Sequence, residues 1–180
     1  MPKYVAFLRA INLGGHTLKM EPLRRLFEEM GFSGVETFIA SGNVLFEADS
    51  TNTWELERKV EASLHDRLGF SVATFIRTAD ELAEIACYDP FKAPDLDSEG
   101  STLYIVFAAG PPGDQEVQKL LELASDANQL HASGREIYWL CRTSFSDSGF
   151  SLALLEKALG LPATIRNAST VKRIAKKYTL

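Results

Sequence analysis

Short apolar runs alternate along the first half of the chain with segments whose apolar residues recur every three or four positions. The runs are typical of strands, and the spaced segments are typical of helices. Residues 4–9 are apolar on both alternations, which predicts a strand buried on both faces. Residues 20–30 predict a helix that ends at Gly31. Residues 35–39 and 44–46 then predict two strands joined by a hairpin turn.

Polar residues mark the starts of the next two helices. Asn52 precedes apolar residues at helical spacing and then Gly69, which predicts a capped helix that stops at this glycine. Residues 72–76 predict a strand. Thr78 and Glu81 have the spacing of a capping box, so we expect another helix to begin directly after that strand.

The order of predicted elements then repeats. Strands are expected at residues 103–107, 129–131, 136–140 and 164–166, and helices around residues 117–124, 152–159 and 171–178. Tyr4–Phe7 resembles Tyr104–Phe107, and Ser41-Gly42 resembles Ser133-Gly134. This repetition predicts an α+β fold of duplicated ferredoxin-like (βαββαβ) units with antiparallel sheets and additional helices.

A segment without periodicity separates the two predicted copies. It contains two prolines and several acidic residues, which is a composition typical of linkers. We therefore predict a first ferredoxin-like half over residues 1–88, a linker over residues 89–100, and a second half over residues 101–180 that ends in a basic helix.

Composition narrows the class of protein. The chain has 180 residues, of which 46% are hydrophobic and 24% are charged, as in globular proteins. No apolar run approaches the roughly 18 residues that span a bilayer, and no secretory signal pattern is present, so we expect a cytoplasmic protein without a membrane partner. The 2 Cys and 3 His lack ligand spacing, so we expect no metal, and no nucleotide-binding fingerprint is present, so we expect no cofactor.

Charge is unevenly distributed along the chain. The net charge is −5, yet residues 1–25 carry five Lys or Arg against Glu21 alone, and residues 166–180 carry five against none. The residues between them therefore carry a net charge of −14. An acidic middle disfavours extensive non-specific duplex binding, although a local anion site stays open.

The predicted topology brings two polar loops to one edge of the first sheet, because the first strand ends where the second and third are joined. Glycine-rich backbone can form a concave nest for an anion, with amide, hydroxyl and guanidinium groups beside it. The candidate ligand-binding residues are Arg9, Asn12, Gly14, Gly15, Ser41, Gly42 and Asn43. The alternative is that the glycines permit turns, the asparagines cap them, and Arg9 pairs with an acidic neighbour.

A second candidate anion site lies where the last predicted strand meets the last helix. Arg166 and Asn167 precede a helix start that contains Thr170, and helix N-terminal amides act together with a guanidinium in binding anions. The alternative is a capped helix beside a structural arginine. No nucleophile elbow or relay of catalytic residues can be placed by spacing, so catalytic residues stay unassigned and enzymatic activity stays open.

The chain resembles the bacterial domain of unknown function family numbered 1697 over nearly its whole length. The resemblance is carried by Leu8-Arg9-Ala10-Ile11-Asn12-Leu13-Gly14-Gly15, Met20, Leu23, Ser41-Gly42-Asn43-Val44, Thr164-Ile165-Arg166-Asn167 and Thr170-Val171. It implies a compact cytosolic protein with duplicated ferredoxin-like architecture, and it implies no reaction. The chain departs from the family pattern at Ala10, Asp89 and Ala168, where the family has Gly, Asn and Trp.

Three functions are compatible with these patterns. The first is binding of a small anionic or phosphate-bearing ligand at the edge that carries the Gly-Gly loop. The second is single-stranded nucleic-acid binding, which Tyr138 and Trp139 favour and the apolar first strand disfavours. The third is a protein-interaction role in which the basic C-terminal helix docks an acidic partner or a second copy. The oligomeric state stays open.

Overall fold

The computed structural model describes residues 1–9, 18–39, 42–92 and 99–178. Its strands are β1 (Lys3–Leu8), β2 (Ser33–Thr37), β3 (Asn43–Glu47), β4 (Thr74–Thr78), β5 (Thr102–Ala108), β6 (Asn128–Ser133), β7 (Glu136–Cys141) and β8 (Ala163–Asn167). Its helices are α1 (Met20–Glu29), α2 (Thr53–Leu68), α3 (Ala79–Cys87), α4 (Asp114–Leu121), α5 (Leu152–Leu159) and α6 (Ala168–Tyr178).

The strands form two antiparallel four-stranded sheets, ordered β2-β3-β1-β4 and β6-β7-β5-β8. Each order is that of a ferredoxin-like unit, in which the first strand lies between the third and the fourth. The pairing registers also match, since Val5 lies opposite Arg77 and Ile105 lies opposite Arg166. The predicted duplicated α+β fold is therefore confirmed.

The chain divides into two compact units. Unit 1 comprises Met1–Glu84 and Ile174–Leu180, and unit 2 comprises Ile85–Arg173. The division falls within α3 and within α6, so the end of the C-terminal helix belongs to unit 1. The linker predicted at residues 89–100 is described only at its two ends, and that boundary stays a prediction.

The core of unit 1 lies between one face of its sheet and helices α1 and α2. Tyr4, Ala6 and Leu8 of β1 belong to the same buried cluster as side chains of both helices, among them Phe27 and Leu64. The alternate residues of β1 are also buried, because every position from Tyr4 to Leu8 is at most 1% exposed. The prediction that β1 is buried on both faces is confirmed.

Unit 2 repeats this packing with α4 and α5. Val106 and Trp139 of the sheet cluster with Leu120 and Leu155 of the two helices. An aromatic pair occupies equivalent register positions in both units: Tyr4 stacks on Phe46 with ring centroids 5.5 Å apart, and Tyr104 stacks on Trp139 at 4.8 Å. The duplication therefore extends from strand order to individual side-chain contacts.

Local signals place the helix starts as predicted. Asn52 Oδ1 accepts hydrogen bonds from the backbone N–H groups of Trp54 and Glu55. Thr78 and Glu81 form the reciprocal capping box: the Thr78 N–H donates to the Glu81 carboxylate at 2.8 Å, and the Glu81 N–H donates to Thr78 Oγ1 at 3.1 Å. These caps satisfy backbone donors that a helix start otherwise leaves without partners.

Helix carboxylates protect the edge strands β4 and β8. In unit 1, Glu61 accepts from the Thr74 N–H at 2.9 Å, and Glu57 accepts from the Ile76 N–H at 2.8 Å. In unit 2, Glu156 of α5 accepts from the Ala163 N–H at 2.9 Å. Exposed edge donors can pair with other chains, so these bonds also reduce the risk of edge-to-edge association.

Several details differ from the sequence prediction. The fourth strand is Thr74–Thr78 rather than residues 72–76, and the helix expected around residues 117–124 is Asp114–Leu121. The second strand ends at Thr37 rather than Ile39, because Ile39 has φ +50° and a residue with positive φ cannot continue a strand. In the sequence, Cys87 and Cys141 occupy apolar helix and strand positions, which predicts that both are buried. Cys141 is buried, but Cys87 is exposed at the end of α3.

Candidate functional site

The end of β1 meets the starts of β3 and β4 at one end of the unit 1 sheet. The Leu8 N–H donates to the Gly42 carbonyl at 2.8 Å, and the Arg9 N–H donates to the Ala73 carbonyl at 2.9 Å. We call this region, defined by Arg9, Gly42, Asn43 and Ala73, the loop-bearing edge. These bonds fix the half-buried Arg9 between the two neighbouring strands.

Asn43 holds the turn that leads into the loop-bearing edge. Its side chain is 2% exposed, and Nδ2 donates to the carbonyls of Phe38 at 3.1 Å and Ile39 at 3.4 Å. Its carbonyl accepts from the Phe38 N–H at 3.0 Å. Gly42, with φ +77°, adopts the left-handed backbone that glycine accommodates without steric cost. Asn43 therefore acts on backbone groups, as the turn alternative expects.

Part of the predicted ligand site lies outside the described residues. These predicted residues are Asn12, Gly14, Gly15 and Ser41. Of the predicted set, Arg9, Gly42 and Asn43 are described, and the structure brings them together at the loop-bearing edge. Whether this set binds a ligand stays a prediction.

The same end of the unit 2 sheet has the same backbone bonds but shorter connections. The Ala108 N–H donates to the Arg135 carbonyl at 2.9 Å, as Leu8 does to Gly42. Strand β5 connects to α4 through residues 109–113, whereas β1 connects to α1 through residues 9–19. Strands β6 and β7 are joined by residues 134–135, whereas β2 and β3 are joined by residues 38–42. Both connections at this edge are thus longer in unit 1.

The chemistry of the two edges also differs. Ala109, whose N–H donates to the Pro162 carbonyl, occupies the position that Arg9 has in unit 1. Glu136, which lies opposite Phe107 as Asn43 lies opposite Phe7, places a buried carboxyl where unit 1 has a neutral amide. At this edge, unit 2 therefore carries Arg135 and Glu136 where unit 1 carries Gly42 and Asn43.

The second predicted anion site lies at the junction of β8 and α6. Arg166 Nη1 donates to Thr164 Oγ1 at 2.9 Å and to the Ile165 carbonyl at 2.8 Å, so the guanidinium turns back along its own strand. Burial lowers the pKa of Arg166. Asn167 Oδ1 accepts from the Ser169 N–H at 2.9 Å and so caps α6, while Thr170 is half-buried in its first turn. These bonds match the structural alternative, and anion binding here stays a prediction.

Unit 1 also contains a polar pocket of about 470 Å³ that the sequence did not indicate. We call it the β1–α3 pocket, because it lies where β1 begins and α3 begins. Its lining includes Lys3, Tyr4, Thr51, Thr78, Asp80 and Tyr178. These residues come from distant segments of the chain, so no local motif could have revealed them.

The described part of the chain contains no group of three or more His, Cys, Asp or Glu residues placed to hold a metal ion. Among the helices that the structure describes, none is long and apolar enough to cross a membrane.

The fold and the loop-bearing edge define a duplicated ferredoxin-like α+β protein in which one copy carries the longer loops. A family model described as a protein of unknown function, DUF1697, matches residues 1–138, and the chain belongs to this family. Among solved structures, the chain is similar to the conserved bacterial protein SP0830 from Streptococcus pneumoniae, at 23% identity and a TM-score of 0.77. That likeness covers 100% of this chain and 99% of the other, and it shows the fold. No curated protein matches the chain.

Proposed function

We propose that unit 1 binds a small anionic ligand, carrying a carboxylate or phosphate group, at the loop-bearing edge. The observation that carries this proposal is the difference between two copies of one scaffold. Their strand orders and registers agree, but both connections at this edge are longer in unit 1 than in unit 2. Loops that a rigid scaffold positions are where binding residues concentrate.

The charge at the edge indicates the sign of the ligand. Arg9 is the cation at the end of β1, and a guanidinium can hold a carboxylate or phosphate through two parallel hydrogen bonds. In the sequence, Asn12, Gly14, Gly15 and Ser41 supply the remaining amide, backbone and hydroxyl donors. We assign no catalytic residue.

The other two functions receive less support. A nucleic-acid reader of the ferredoxin-like type needs an exposed sheet face, but Val5 and Phe7 of β1 and Ile105 and Phe107 of β5 are at most 1% exposed. A docking role for the basic helix α6 receives less support because Ile174 and Ala175 are buried, so part of this helix packs in the core.

We also propose that the protein is cytoplasmic. Both Cys87 and Cys141 are free thiols, and free thiols persist in reducing compartments.

A thermal-shift comparison tests the ligand proposal. Wild type, Arg9→Ala and Asn12→Ala are screened against inorganic phosphate, sugar phosphates, nucleotides and small carboxylates, with Arg135→Ala as the matched control at the equivalent edge of unit 2. We expect at least one anion to raise the Tm of wild type and Arg135→Ala but not of the other two variants, because binding only to the folded state stabilises it. The proposal fails if no anion raises the Tm, or if Arg9→Ala responds like wild type.

A further inference from the structure

The β1–α3 pocket lies at the end of the unit 1 sheet opposite the loop-bearing edge. Its wall is fixed by hydrogen bonds on the protein side: Tyr4 donates its hydroxyl to the Ser50 carbonyl at 2.6 Å, and Tyr178 donates its hydroxyl to the Tyr4 carbonyl at 2.5 Å. Burial raises the pKa of both tyrosine hydroxyls, which therefore stay neutral. The pocket thus has a fixed aromatic wall at Tyr178.

Two side chains of unlike charge, Lys3 and Asp80, line this pocket and do not pair with each other. Lys3 Nζ lies 5.6 Å from the centroid of the Tyr178 ring, and Asp80 lies in the first turn of α3. Neither side chain has an ion-pair partner within 4.0 Å among the residues that the structure describes. A ligand that carries both a negative and a positive group would complete both contacts.

The start of α3 adds backbone donors to the pocket, beside the carboxylate of Asp80 and that of Glu81, which already accepts the Thr78 N–H. The backbone N–H groups of Ala79 and Asp80 have no acceptor within the helix, since they precede its first complete turn. Both residues line the pocket, and the helix N-terminus carries a partial positive charge. Thr51, on the segment before α2, adds a hydroxyl. The pocket therefore offers cationic, hydroxyl and anionic groups around one space.

We propose that the β1–α3 pocket binds a free α-amino acid in its zwitterionic form. The carboxylate binds at Lys3 and the start of α3, the ammonium group binds at Asp80, and the side chain lies against the Tyr178 ring. The volume of about 470 Å³ falls within the range of roughly 300–1,000 Å³ that is typical of small-molecule pockets. The site is separate from the loop-bearing edge and does not depend on Arg9.

The experiment is an NMR titration of the ¹⁵N-labelled protein with each of the twenty α-amino acids. We expect at least one of them to shift the backbone amides of Lys3, Tyr4, Thr78 and Asp80 to saturation. Two analogues of that amino acid serve as controls, one that lacks the amino group and one that lacks the carboxylate. Each should bind at least about tenfold more weakly than the amino acid, because each lacks one charged contact.

Matched variants separate the pocket from the rest of the surface. Lys3→Gln and Asp80→Asn should each weaken binding about tenfold, whereas Lys59→Gln should not, although Lys59 also lies over an aromatic ring, Phe32, at 4.7 Å. Arg9→Ala should bind the amino acid normally, so failure of the anion proposal would leave this one standing. The inference is overturned if no amino acid binds to saturation, if the shifts lie elsewhere, or if the single-charge analogue binds equally well.

Discussion

The side chain of Asn43 stabilises the loop-bearing edge through its hydrogen bonds. Its buried amide donates to two carbonyls, those of Phe38 and Ile39, and an alanine at this position would remove both bonds. We expect Asn43→Ala to lower the free energy of unfolding by about 1–3 kcal/mol, measured by urea denaturation. Asn43→Asp, which replaces the donor by an acceptor, should cost at least as much. A loss below about 0.5 kcal/mol for either variant would contradict this role.

Glu21 provides a pH-dependent test on α1. Hydrogen bonds from Arg24 and Arg25 lower the pKa of the Glu21 carboxyl to about 2, from the usual 4.5. Because the folded-state pKa is depressed, the contribution to stability is present above pH 4.5 and is lost as the pH falls toward 2. A ¹³C-detected carboxyl titration should show this low pKa in wild type and a clear rise in Arg24→Gln. An unchanged Glu21 pKa in the variant would contradict the assignment.

Single residues also show where sequence reasoning stops. Asn52, Thr78 and Glu81 could be assigned as caps because a cap depends on neighbours within three positions. The buried Arg77, 3.8 Å from Glu57, could not be paired from the sequence, because α2 and β4 meet only through the tertiary fold. Cys87 was misjudged for the same reason, since its exposure depends on what the end of α3 packs against.

At the scale of elements, the edge strands β4 and β8 give parallel predictions. Glu61→Ala and Glu156→Ala each remove a charged acceptor from an edge N–H, and we expect each to cost about 1.5–3 kcal/mol. Hydrogen exchange followed by NMR should show faster exchange of the Thr74 amide in the first variant and of the Ala163 amide in the second. Glu61→Gln keeps a carbonyl acceptor and should cost less. Unchanged exchange at both amides would show that the bonds are not formed in solution.

Elements differed in how well their sequence specified them. Helix α2 was predictable from its apolar residues at helical spacing, from its Asn52 cap and from Gly69, which is the left-handed C-cap with φ +76°. Strand β2 was shifted by two residues, because its hydrophobic residues continue through Ile39 while its backbone turns there. A short edge strand carries too few buried positions for its pattern to fix its ends.

At the scale of the whole molecule, the duplication was predictable because its copies share both element order and residues such as Tyr4 and Tyr104. In contrast, the sequence did not predict that residues 174–178 belong to unit 1. Tyr178 donates to the Tyr4 carbonyl, and Lys177 pairs with Glu36 and lies 5.3 Å from the Phe38 ring centroid. Contacts between residues so far apart in sequence leave no periodic signal.

These contacts make the end of α6 structural. Deleting residues 174–180 removes Ile174, Ala175 and Tyr178 from unit 1, and we expect the backbone NMR signals of β1 to lose their native dispersion. Lys172→Gln, which removes an exposed charge from the same helix, should change stability by less than about 0.5 kcal/mol. Native β1 signals in the truncated protein would contradict a structural role for the end of α6 and would favour the alternative that this helix docks a partner.

The most direct test of the central claim is an NMR titration of wild type with inorganic phosphate, acetate and a short single-stranded RNA. We expect a small anion to shift the amides of Arg9, Gly42 and Asn43 to saturation, to leave Ala109 and Arg135 at the equivalent edge of unit 2 unchanged, and to lose its effect in Arg9→Ala. Equal shifts at both edges, shifts that persist in Arg9→Ala, or binding of RNA alone would contradict an anion site that is specific to unit 1.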